Sequence, residues 1–129
     1  RGRNAKTIDA LMETEEAKES GLRVVELVAL RLYTGPMYYK YNSVLRGQAA
    51  GQSGGANLYS TSINLIVSGL LKLSRISRPP SDRAVYRGLS GVALPPSFFE
   101  LDRQGFAGGT ELGFMSTTTE MAVACQYAR

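Results

Sequence analysis

The feature that most restricts the fold is a change of patterning at Arg78-Pro79-Pro80-Ser81-Asp82. Two consecutive prolines fix φ and withdraw two backbone donors, so neither a helix nor a strand ladder continues through them. Ahead of this break, apolar residues recur at helical spacing over long segments. Residues 5–18 read as an amphipathic helix, with Ile8, Leu11 and Met12 on one face, Asn4 as N-cap, and Glu13, Glu15, Glu16 and Glu19 on the polar face. Ser20-Gly21 ends it. Residues 22–33 are apolar between Arg23, Glu26 and Arg31 and read as a second, buried helix, with a strand as the alternative. Gly35-Pro36 stops this segment, and Pro36 opens a third helix that runs to Leu45. Gly47 to Asn57 is rich in Gly, Gln and Ala and predicts a flexible loop. A fourth helix, over 58–76, carries Ile63, Ile66, Val67, Leu70 and Leu71 as its apolar face. Lys72 and Arg75 lie near its C-terminus, where the helix dipole favours cations.

Beyond the break the segments are short. Residues 84–89 read as a strand with Val85, Arg87 and Leu89 on one face and Tyr86 on the other. Pro95-Pro96 leads into a helical turn over 98–101, and Gly105, Gly108 and Gly109 make a loop. Residues 112–117 read as a second strand and 119–127 as a helix. Helices first and strands second predict an α+β architecture of N-terminal helices followed by mixed strands. The expectation is a single domain over 1–129, with a helical part at 4–77 and a strand-containing part at 83–129; two strands are too few for an ordinary sheet, which suggests the front part of a longer protein.

Composition decides which chemistry is open. The chain has no histidine and one cysteine, Cys125. Histidine-activated serine or cysteine nucleophiles are excluded, as are an intramolecular disulfide and a Cys/His zinc site; no metal is expected. The net charge of +4 is mild. Lys72, Arg75, Arg78, Arg83 and Arg87 cluster around the break, opposed by Asp82, but such a run reads first as a solvated helix end and does not indicate a nucleic-acid partner. Gly47 to Leu71 is uncharged yet too polar to span a bilayer, and no apolar stretch follows the opening residues as a signal peptide requires. A soluble protein without a membrane partner is expected.

Two features carry chemical information. Arg87 sits within an apolar-faced strand, where a guanidinium needs an anionic or bidentate partner: a carboxylate of this chain, or a ligand. Phe114-Met115-Ser116-Thr117-Thr118-Thr119 bunches hydroxyls where a strand gives way to a helix. Thr117 and Glu120 also have the spacing of a capping box, the structural alternative for that cluster.

Taken in order, these elements resemble the NAD-dependent ADP-ribosyltransferase family of arginine type, which carries an Arg on one strand, a Ser-Thr-Ser signature on the next and a Glu-x-Glu turn further on. Tyr86-Arg87-Gly88 resembles the first element. Gly113-Phe114-Met115-Ser116-Thr117-Thr118 resembles the second, with Thr118 in place of the usual Ser. Upstream, Tyr33-Thr34-Gly35, Tyr38, Asn42 and Leu45-Arg46 resemble the helix that lies over the NAD site in actin-type bacterial toxins.

The resemblance implies a partial ADP-ribosyltransferase-like fold that binds NAD and, in the complete protein, transfers ADP-ribose to a side chain of a protein acceptor, arginine by the type of motif. It assigns Arg87 to the pyrophosphate and Gly88 to close approach of the ligand. Ser116 falls near the nicotinamide ribose in support of the catalytic Glu, with Thr117 and Thr118 bracing the strand. Tyr33, Tyr38 and Asn42 supply dinucleotide contacts, against a structural alternative in which they pack a tyrosine-rich helix. No Glu-x-Glu occurs in the sequence. The alternative is therefore a degenerate, non-catalytic interaction or structural module, and a more distant one is a basic nucleic-acid binder.

Overall fold

Threonine hydroxyls set the starts of the first two described helices. In the computed structural model, which describes residues 6–48, 57–78 and 81–128, Thr7 caps α1 (Ile8–Met12) by accepting from the Ala10 amide at 3.1 Å. Thr14 caps α2 (Glu15–Ser20) by accepting from the Ala17 amide at 3.4 Å. The one helix expected over 5–18 is thus two, because Thr14 breaks its own helical register to satisfy the next helix's free donors. The expected cap Asn4 lies outside the described residues, as do residues 49–56 of the expected loop. Gly21, at φ +64°, ends α2 in the left-handed conformation that glycine adopts without penalty.

The chain divides into two compact units, Arg1–Pro79 and Pro80–Arg129. In the first, α3 (Val24–Leu32) is followed by a wide turn at Tyr33–Met37, where Gly35 leaves helical geometry ahead of Pro36. The chain then enters α4 (Tyr38–Leu45), and α5 (Ser60–Ile76) packs against α3 and α2. Ala17, Leu22, Ala29, Tyr41, Ile63 and Ile66 form the core, with the Tyr59 ring meeting Tyr41 edge-on at 5.5 Å. Gly69 lets α5 approach α3 closely. A Cβ there would stand 2.9 Å from Leu30 Cδ1.

The orientation of α3 inverts what its sequence suggests. Glu26 and Ala29 face inward, whereas Val24, Val25 and Val28 face outward. A helix this apolar has no polar stripe to choose its inner face. Lys72 and Ser68 on α5, which both donate to Glu26, choose it instead.

The second unit corrects the fold class. Of the described residues, 53% are helical and 2% in strand, and no sheet forms among them, so the expected α+β architecture with mixed strands is not what this chain adopts there. The segments 84–89 and 112–117 are not strands. One antiparallel bridge stands in this region, between Tyr86 and Thr118, just past the second segment, with the Tyr86 amide donating to the Thr118 carbonyl at 2.7 Å and the Thr118 amide donating back at 2.9 Å.

Side chains stop the ladder on both sides. The next rung would pair Gly88 with Ser116, but the Ser116 carbonyl receives Nη1 of Arg87 at 3.4 Å. On the other side Glu120 would pair with Ala84, but its amide donates to the Thr118 hydroxyl at 3.1 Å and the chain turns into α6 (Met121–Tyr127). Glu120 is therefore the N-cap residue of α6, and the Thr117–Glu120 capping box is not the way this helix starts. Between the two halves of the bridge, a short turn at Pro96–Phe98 leads to a loop organised by Asp102, whose Oδ1 accepts from the amides of Gln104 and Phe106. No helix among the described residues is long and apolar enough to cross a membrane.

Candidate functional site

The Tyr86–Thr118 bridge brings together two motifs far apart in sequence. Because the bridge fixes its neighbours, Arg87 lies alongside Ser116, the first hydroxyl residue of the Ser116-Thr117-Thr118 run. The guanidinium is held from two directions. Nη1 donates to the Ser116 carbonyl, and Nη2 lies 3.6 Å from Oε2 of Glu111. The other oxygen of that carboxylate accepts from the Gly113 amide at 2.8 Å, so a tight turn, rather than the arginine, aims Glu111. The pair is loose and partly solvated, with 25% of the Arg87 side chain and 29% of the Glu111 side chain exposed. Pairs of this kind contribute about 1 kcal/mol or less. The site therefore presents an oriented cation whose internal counter-ion holds it weakly.

Arg87 thus finds a carboxylate of its own chain, one of the two partners open to it on sequence grounds. Ser116 and Thr117 are exposed, and Thr118 is half-buried in the bridge. Gly88 differs from its expected role. The space a Cβ would take is filled by the backbone of α6, with the Ala124 carbonyl in direct conflict and the Ala128 nitrogen at 2.9 Å. It is helix α6, not open space for a ligand, that requires glycine here. Gly88→Ala is expected to destabilise the second unit by about 2 kcal/mol, the scale of overpacking against an unyielding neighbour. Amide exchange at Tyr86 and Thr118 would report it as lost protection; unchanged protection would contradict the close approach.

Tyr33, Tyr38 and Asn42 belong to the first unit. Tyr38 is half exposed at the start of α4 and Tyr33 is half-buried in the turn before it. Asn42 is 4% exposed, beside the buried Tyr41.

Sequence reasoning missed two acidic residues. In the sequence Glu111 is an isolated carboxylate, and only its spacing of two residues before Gly113, which allows the tight turn, hints at an aimed side chain. The other is Glu26, fully buried in the first unit. Its Oε1 accepts from the Ser68 hydroxyl at 2.7 Å and from Nη2 of Arg23 at 3.1 Å. Its Oε2 accepts from Lys72 Nζ and from the Arg23 amide, both at 2.8 Å. Lys72 also donates to the Gly21 carbonyl at 2.9 Å, tying α5 to the end of α2.

Burial pushes the Glu26 carboxyl up, but hydrogen bonds from Lys72, the Arg23 amide, Ser68 and the Arg23 guanidinium outweigh it and hold the group well below the usual carboxylate range. Each oxygen already serves two donors, so this cluster is a lock between helices and offers nothing to a ligand. Among the described residues no group of three or more His, Cys, Asp or Glu side chains is placed to hold a metal ion. No family model, curated protein or solved structure matches the chain.

Proposed function

We propose that this chain binds NAD and serves the transfer of ADP-ribose from NAD to a protein arginine, with release of nicotinamide. The observation that carries the reading is the juxtaposition of Arg87 with Ser116 across the Tyr86–Thr118 bridge. A guanidinium anchored through a carbonyl at one nitrogen still has donors for phosphate oxygens, and the fork of an arginine matches a pyrophosphate bidentately. Ser116 and Thr117 add exposed hydroxyls beside it, suited to ribose oxygens.

The chemistry asks little else of this chain. The bond between C1′ of the ribose and the nicotinamide nitrogen breaks with its electron pair going to nicotinamide, which leaves neutral. The acceptor guanidino nitrogen then bonds to C1′ and gives up a proton. Positive charge that builds on the ribose is stabilised by a carboxylate, so histidine is not needed. The resemblance assigns that carboxylate to a Glu-x-Glu turn, which these 129 residues do not contain. Binding is the part of the reaction that this chain performs.

The test is activity of the protein as it occurs naturally. Nicotinamide release from NAD and labelling of an arginine-containing acceptor are both expected, and both should drop together in Arg87→Lys by about tenfold or more, since an ammonium cannot reproduce the fork. Activity that is indifferent to Arg87→Lys would refute the reading.

A further inference from the structure

Resting on the reading of Arg87 as the phosphate-gripping residue, we propose that Glu111 is an internal competitor for it, a carboxylate that sets how tightly the site takes a pyrophosphate. Three observations support this. First, Nη2 of Arg87 faces Glu111 while Nη1 faces the Ser116 carbonyl. A bidentate grip on phosphate needs adjacent guanidinium donors, so it meets the carboxylate directly. Second, the contact is 3.6 Å, long for a charge-assisted hydrogen bond, and both side chains are partly solvated. A partner held this loosely yields to a dianion. Third, Oε1 of Glu111 is kept in place by the Gly113 amide at 2.8 Å. When phosphate arrives the carboxylate therefore stays nearby and repels it, rather than swinging into solvent.

The consequence has a definite sign. Removing the charge while keeping the shape strengthens binding. Glu111→Gln retains a carbonyl oxygen for the Gly113 amide, so the turn persists while competition and repulsion disappear. Were Glu111 instead a positioning residue that holds Arg87 ready, the same substitution would weaken binding.

The experiment is calorimetric titration of the wild-type chain, Glu111→Gln and Glu111→Ala with NAD and with inorganic pyrophosphate, at about 0.05 M and about 0.5 M salt, where surface electrostatics is respectively weakly and strongly screened. Glu111→Gln is expected to bind both probes about fivefold more tightly at low salt, the scale of a loose, partly exposed ion pair. Glu111→Ala should change in the same direction, and both gains should shrink at high salt. Equal or weaker binding by Glu111→Gln overturns the proposal. If NAD binds equally well to wild type and Glu111→Gln, the competitor is refuted and the NAD reading stands. If the chain binds pyrophosphate but not NAD, and Glu111→Gln still binds pyrophosphate more tightly, the competitor stands and the dinucleotide reading fails. No binding of either probe by any variant refutes both.

Discussion

Glu26→Ala is expected to lower the stability of the helical unit by about 3 kcal/mol, a large share of what a unit of this size has to lose. The substitution removes the shared acceptor of Lys72 and Ser68, both on α5, and of the amide of Arg23, the residue ahead of α3. It also leaves a cavity where a fully buried side chain stood. Lys72 keeps the Gly21 carbonyl and some solvent, which limits the loss. Urea unfolding followed by helical circular dichroism measures the effect; a loss below about 1 kcal/mol would mean the cluster is not a lock.

The pH dependence of stability follows from the same carboxylate. Its folded value lies below the ordinary 4.5, so on acidification the unfolded chain takes up this proton before the folded chain does. The contribution of Glu26 is therefore complete above 4.5 and drains away as pH falls below it. Glu26→Gln has no such proton to bind. Wild type should be clearly more stable than Glu26→Gln near neutrality, and the gap should narrow at about pH 3. Parallel curves for the two proteins would show that the carboxylate is not held in its charged form by folding.

Arg87→Ala is expected to weaken NAD binding about 100-fold while leaving the helical unit's unfolding midpoint where it was. The magnitude is that of losing a bidentate, charge-assisted contact to phosphate, and the selectivity follows because Arg87 lies outside the Arg1–Pro79 unit. Arg87→Lys should fall between the two, since it keeps the charge and loses the fork. Titration calorimetry on the three proteins gives the ratios. Wild-type affinity in Arg87→Ala would mean that the pyrophosphate is held elsewhere.

Much of the helical part was legible because apolar spacing reports a helix whatever it packs against. The segment 58–76 emerges as α5, with Ile63 and Ile66 buried as their period predicts. Period alone did not say which flank of the stripe would be covered. Gly69 is buried against α3 while Leu70 and Leu71 are exposed, because a residue without a side chain leaves room for Leu30. Likewise Val24, Val25 and Val28 outnumber Glu26 on any hydropathy scale, yet Glu26 is inside. Its burial depends on Lys72 and Ser68, more than forty residues away, and spacing within one helix carries no information about them.

The second part shows the opposite error. The alternation at 84–89 and 112–117 predicts two strands, yet the structure has one isolated bridge, from Tyr86 to Thr118, a residue just beyond the second segment. It overstated how far pairing extends. A ladder needs each carbonyl to be claimed by a backbone amide, and here the Arg87 side chain and the Thr118 hydroxyl claim or supply those bonds instead. Such competition depends on the side chains beside a rung, which alternation ignores. For the same reason the site was half legible: Arg87 and Ser116 stood out by residue type, whereas Glu111 mattered only through where its turn aimed it.

The most direct measurement is a nitrogen-edited NMR titration of this chain with NAD, read amide by amide. Saturable shifts are expected at Tyr86, Arg87, Gly88 and Ser116 to Thr118, and they should vanish in Arg87→Ala. Shifts that never saturate, or a saturable set that persists unchanged in Arg87→Ala, would contradict NAD binding at this arginine.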